Sequence, residues 1–145
     1  VLWGSAKASS GIAASVSAPR PLIMLDPGHG GHDPGAVGIT GAFEKDVALR
    51  VAGELQRALE QNGRYRVLLT REQDVYVPLA QRTAHADALD AQLLVSIHAD
   101  ALTDRGVRGA SVYSRSDHAS DAQTDELAQR ENGVDRGSDA PYGRY

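Results

Sequence analysis

The chain has 145 residues, enough for one domain with a hydrophobic core and too few for two. Its net charge of −4, from 15 basic and 19 acidic residues with no basic run, excludes a general nucleic-acid binder, which needs a concentrated positive face. With no cysteine, disulfide scaffolds and thiolate metal sites are excluded, so a transition metal here must take histidine and carboxylate.

Residues 1–21 are small, polar and aperiodic, and read as a linker or N-terminal remnant rather than an intact signal peptide. No run approaches the roughly 18 apolar residues of a membrane span. Residues 22–26 predict a first, buried strand. Residues 27–41 hold six glycines and two prolines, which predicts a long ordered loop. A helix is expected over 43–62, with Val47, Val51, Leu55, Ala58 and Leu59 at helical spacing and Asn62-Gly63 as the stop. Glu44 and Asp46 lie in its first turn, where the helix dipole favours negative charge.

A second strand is expected over 65–69. Pro78 suits the first turn of a second helix on which Leu79, Arg82, Thr83 and Ala86 share a face. Residues 93–97 form a third strand, as apolar as the first. A further strand over 110–114 and a helix opened by the capping box at Ser120 and continuing through Leu127 and Ala128 complete the expected elements. Residues 137–145 lack periodicity and read as a frayed end. Strands alternating with helices predict an α/β fold, a three-layer sandwich with a largely parallel central sheet flanked by helices.

His29 follows the first strand in the Gly-rich loop and His98 closes the third strand, so parallel strands present both at one sheet edge. Glu44 reaches toward them from a helix start. Together they suggest a zinc site of two histidines and one carboxylate, the donor set zinc takes where one position is left for water. Spacing alone leaves a second possibility open. A strand-closing histidine can bond a backbone carbonyl, and Glu44 can simply compensate the dipole. His32, His85 and His118 read as surface histidines. Glu54, Glu60 and Glu72 read as solvated charge, and Glu126 and Glu131 as packing or surface pairs on the last helix.

Several separated motifs then carry a resemblance. Leu25-Asp26-Pro27-Gly28-His29-Gly30-Gly31, Asp33-Pro34-Gly35-Ala36, Glu44-Lys45-Asp46 and Ser96-Ile97-His98-Ala99-Asp100 resemble the zinc-dependent N-acetylmuramoyl-L-alanine amidases of the third class. Thr70-Arg71, Leu79-x-x-Arg82, Ala119-Ser120-Asp121 and Arg130-Glu131-Asn132 match as well, in the right order. The resemblance implies a hydrolase fold with Zn2+ held by His29, Glu44 and His98. It implies cleavage of the amide joining N-acetylmuramic acid to L-alanine of the peptidoglycan stem peptide, in cell-wall remodelling and daughter-cell separation.

By the same resemblance, residues 22–136 are the catalytic domain, exported to the periplasm or cell envelope and monomeric, with peptidoglycan as partner. Whether an activator protein is also a partner stays open. Such domains end in a further strand and a loop bearing the glutamate that serves as general base. No such segment follows Asn132, so the base is expected beyond Tyr145. The regulatory helical insertion that can plug the groove in this family is not assigned to any stretch here. Other departures are Asp87, where Asn is common, and Gln92, where an acid is common. The alternative to the enzyme is a non-catalytic zinc-binding module that binds peptidoglycan or regulates, and lacks the base.

Overall fold

The computed structural model describes residues 19–99 and 109–114, with Asp125, Ala128, Gln129, Glu131 and Gly133. Its elements are β1 (Leu22–Pro27), α1 (Glu44–Gln61), β2 (Arg66–Leu69), α2 (Leu79–Ala88) and β3 (Leu93–Ile97). The three strands form one parallel sheet in the order β2-β1-β3. From β1 the chain steps to one neighbour and then crosses back to the other. Right-handed crossovers therefore put α1 and α2 on opposite faces of the sheet. The expected α/β layering is what the chain adopts.

β1 is buried at every position because it is the central strand. Its two faces serve different layers, since side chains alternate along a strand. Ile23 and Leu25 form the core with Ala52 of α1 and Val67 of β2, joined by Leu55, Leu59, Val95 and Ile97. Asp26 lies on the other face with Leu22 and Met24, which puts its carboxylate on the side of α2. β3 is equally apolar but only half-buried; Leu93 is 51% exposed. Among the described residues its single strand neighbour is β1.

The face that α1 buries is the expected one only in part, since Leu55 and Leu59 pack against the core but the valines do not lead it. Ala48 and Ala52 are fully buried, whereas Val51 and Ala58 are exposed and Val47 half-buried. Small side chains let the helix approach the sheet closely, and that gain in contact outweighs the larger apolar area of the valines. The start of α1 is fixed by the preceding loop: Glu44 N–H donates to Ala36 O at 2.9 Å and Lys45 N–H to Pro34 O at 3.2 Å. Two amides that a helix start leaves unsatisfied are thereby paired. The stop is as expected, with Asn62 as C-cap and Gly63 at φ 70.

Pro78 is the N-cap of α2 rather than a residue of its first turn, and Arg82 and Ala86 are the buried members of the expected face. Gln92, the departure from the family's acid, accepts a 2.6 Å bond from Leu22 N–H through Oε1, as a carboxylate there would. Residues 110–114 are exposed and not a strand, a correction to the expectation; Val112 is 95% exposed, so nothing in the described structure pairs with it. Asp125, Ala128, Gln129 and Glu131 are helical, in keeping with the expected last helix. No helix among the described residues is long and apolar enough to cross a membrane. The expectations for 1–18, Asp100, His118, Ala119-Ser120-Asp121, Glu126 and 137–145 lie outside the described residues.

Candidate metal centre

The loop after β1 turns sharply because three successive residues, His29, Gly30 and Gly31, have φ of 59, 127 and 59. Gly30 and Asp33 close the turn with a reciprocal backbone pair at 2.9 and 3.1 Å. A left-handed conformation costs a residue such as His29 about 1–2 kcal/mol, so the surroundings must hold it there. Asp33 does part of this, its Oδ2 lying 2.8 Å from His29 Nδ1. The donor in that bond is Nδ1–H, so Nε2 is the nitrogen turned toward the cluster. Gly35 is needed for a different reason. A Cβ at this position would sit 2.6 Å from the His29 ring and 2.8 Å from Glu44.

His29 Nε2 meets His98 Nδ1 at 3.2 Å and Glu44 Oε2 at 3.2 Å. His98 Nδ1 lies 3.1 Å from Glu44 Oε1. The sequence-predicted trio therefore converges, one residue from each of the β1 loop, the α1 start and the β3 end. A fourth group joins it. Glu131 Oε2 is 3.1 Å from His29 Nε2 and 2.9 Å from His98 Nδ1. This corrects the expectation that Glu131 makes a packing or surface pair. Its only sequence signal was the Arg130-Glu131-Asn132 match, since a helical glutamate far from His98 in the chain reads as ordinary surface charge. Asp33 was missed as well, because a carboxylate in a Gly/Pro turn reads as a turn former.

One donor atom from each of His29, Glu44, His98 and Glu131 fits within 4.8 Å of the others, so the cluster can hold a metal ion. His29 Nε2, His98 Nδ1 and Glu131 Oε2 stand 2.9–3.2 Å from one another, and each nitrogen faces a different Glu44 oxygen at 3.1–3.2 Å. Nitrogen and oxygen donors of this kind are ones zinc takes. Two nitrogens facing each other at 3.2 Å are also poorly placed as mutual hydrogen-bond partners when both are protonated, and well placed as two lone pairs on one cation.

Charge is balanced in the metal-free cluster by protons. Burial alone would lower the histidines, but the bonds to Glu131 and Glu44, with Asp33 for His29, outweigh it and raise His29 to about 10 and His98 to about 9. Burial would raise the two glutamates, but the facing imidazoles hold both far below the usual carboxylate range. Glu44 is further fixed by backbone amides: Ala36 N–H donates to Oε2 at 2.9 Å and Ala99 N–H to Oε1 at 2.8 Å. Two imidazolium protons match two carboxylates, and one divalent cation replaces them without changing the net charge.

Access is from the His98 side, whose side chain is 29% exposed against 7% for His29 and 1% for Glu44. A cavity of about 160 Å3 adjoins the cluster there, walled by Tyr76, Val77 and Leu79. Asp26 lies at its base and accepts from Thr70 Oγ1 at 2.6 Å, Ser96 Oγ at 2.9 Å and Arg82 Nη1 at 2.8 Å. It ties the ends of β2, β3 and α2 together. His32 is exposed and packs on Tyr76 at 4.3 Å between ring centres, and His85 is exposed, both as expected of surface histidines. Glu54, Glu60 and Glu72 are exposed too, Glu54 pairing with Arg57.

The sequence profile of the N-acetylmuramoyl-L-alanine amidase family matches residues 23–135. The chain belongs to this amidase family. It is similar to amidase AmiC of Escherichia coli O6:H1, 47% identical over 118 residues that cover 80% of this chain and 28% of that protein. It is also similar to amidase AmiC of Neisseria meningitidis serogroup B, 52% identical over 94 residues, 65% of this chain and 22% of that one. Among solved structures, the catalytic domain of the amidase CwlV from Bacillus (Paenibacillus) polymyxa superposes with a TM-score of 0.56 at 38% identity, covering 60% of this chain and 49% of that domain. The chain thus spans about a quarter of these two amidase relatives and about half of the solved amidase domain. Four of the amidase motifs each send one residue into the cluster: His29, Glu44, His98 and Glu131.

Proposed function

We propose that this chain is the metal-holding part of a zinc-dependent peptidoglycan amidase, with residues 22–136 forming the catalytic domain. The reaction is hydrolysis of the amide between N-acetylmuramic acid and L-alanine of the stem peptide, in the periplasm or cell envelope, serving wall remodelling and daughter-cell separation. The observation that carries this reading is the convergence of His29, Glu44 and His98 in a chain of the amidase family. The names of the relatives support the substrate.

His29 Nε2, His98 Nδ1 and the Glu44 carboxylate would hold the ion. A zinc ion held there supplies Lewis-acid polarisation of the scissile carbonyl and makes water a competent nucleophile near neutral pH. The chain's own contribution is preorganisation. Asp33 keeps His29 in the tautomer that presents Nε2, and the Ala36 and Ala99 amides hold Glu44 ionised and aimed. Tyr76, Val77 and Leu79 give the centre an apolar wall on one side.

Glu131 Oε2 stands where a fourth donor stands, and a catalytic zinc site keeps that position open. Hydrolysis would need that position free, and so would need Glu131 drawn away from His29 and His98. A closed set of four protein donors also favours the second reading, a non-catalytic zinc module that binds peptidoglycan. Release of dye from labelled peptidoglycan, with and without a chelator, separates the two. Chelator-sensitive release, with muropeptides cut at the muramoyl–alanine bond by mass spectrometry, supports the amidase; zinc binding and wall binding without release support the module.

A further inference from the structure

We propose that Arg71 and Arg82 are positioning residues for the metal centre, which hold the backbone of the β1 loop so that His29 can reach the ion. This rests on the zinc reading above. Both guanidiniums are buried, 3% and 4% exposed, and they come from different elements, the segment after β2 and helix α2. Between them they donate to three successive carbonyls, from the last residue of β1 into the loop. Arg71 bonds Pro27 O at 3.0 Å and Gly28 O at 2.7 Å. Arg82 bonds Pro27 O at 2.8 Å and His29 O at 2.9 Å.

Three consecutive carbonyls turned into the protein would otherwise be buried without partners, at a cost of about 1–3 kcal/mol each. That inward turn accompanies the left-handed His29 conformation, and so the imidazole's direction depends on it. Arg71 also donates to Lys45 O at 2.9 Å, immediately after Glu44. One guanidinium thus spans the loop that carries His29 and the helix start that carries Glu44, setting the distance between two donors. Arg82 is anchored in turn by Asp26, 2.8 Å away, and by Val77 O at 2.7 Å.

Lysine cannot replace either residue. Its three donors radiate from one nitrogen, whereas the carbonyls here are spread over the edge and both ends of a planar fork. A residue that merely filled space would tolerate that exchange once the fold survived.

The test uses the full-length protein and its Arg71→Lys, Arg82→Lys and His29→Ala variants. Folding is followed by circular dichroism, cobalt(II) binding by its visible absorption and zinc affinity by competition with a chromogenic chelator. Expected are folded lysine variants that bind zinc about 10- to 100-fold more weakly, as loss of outer supports of a ligand does, with an altered cobalt spectrum. Should either lysine variant fail to fold, the other carries the test; if both unfold, the role is structural and the inference falls. It falls equally if folded variants keep wild-type affinity and spectrum while His29→Ala loses the metal. If His29→Ala itself binds like wild type, it is the zinc reading that fails.

Discussion

His29 Nε2 and His98 Nδ1 lie 3.2 Å apart, although 69 residues separate them in the chain. The parallel pairing of β1 with β3 brings this about. Pro27 is in register with Ile97, so the residues that follow leave the sheet side by side. Two carboxylates then complete a group in which two protons and one divalent cation are electrostatic alternatives.

A pH dependence follows for the metal-free chain. The histidines titrate near 10 and 9 when folded, against 6.5 ordinarily, so their stabilisation is complete below about pH 6.5 and is lost as pH rises through 9 and 10. The glutamates are depressed from 4.5, so theirs is present above about pH 4.5 and lost as pH falls toward the lowered values. Melting temperatures in the presence of a chelator should therefore drop between pH 6.5 and 10. Zinc-loaded protein should not show this drop, because the protons have already left. A chelated protein whose melting point is flat over that range would contradict the arrangement.

Asp33 should matter chiefly through His29, because the bond its other oxygen accepts from Gly35 N–H at 3.1 Å can also be accepted by an asparagine Oδ1. Asp33→Asn leaves the turn able to close but offers the imidazole a weaker acceptor at 2.8 Å. Zinc affinity should fall about 10- to 100-fold with little loss of stability, the usual result of removing an outer carboxylate from a metal-bound histidine. Chelator competition and thermal melts on one preparation check both halves.

Gly35→Ala should be far more damaging than its size suggests. The backbone there has φ +64, and the new methyl would lie 2.6 Å from the His29 ring. Backbone strain alone costs about 1–3 kcal/mol, and relieving the contact moves either His29 or Glu44. Denaturant midpoints and zinc content should fall together.

Glu131→Ala distinguishes two roles for that carboxylate. If it serves as a fourth donor in the position hydrolysis needs, its removal should leave zinc bound and raise dye release from peptidoglycan severalfold. Loss of release with zinc retained would instead make it the proton-transferring group.

Much of this architecture was legible in the residues. The apolar runs ending at Asp26 and Ile97 marked the strands, and their terminal histidines marked the sheet edge. Glu44 could be seen at a helix start, though not that both its oxygens would be tied to Ala36 and Ala99 amides. Burial was harder to read, because β1 and β3 are equally apolar and only the strand order makes one central. The inner face of α1 was only half legible, through Leu55 and Leu59, for a related reason. Ala48 and Ala52 carry little hydrophobic signal, yet their smallness is what admits the helix to the sheet. Glu131 reads as surface charge and Asp33 shows no role of its own, because their partners are set by tertiary placement, which local pattern does not encode.

The most direct test is the zinc content of purified, dialysed protein. The unaltered chain should hold one equivalent, while His29→Ala and His98→Ala should hold little, and Glu44→Gln should lose peptidoglycan hydrolysis with its fold intact. If the two histidine variants, folded by circular dichroism, each retain a full equivalent of zinc, these side chains are not its ligands and the account is contradicted.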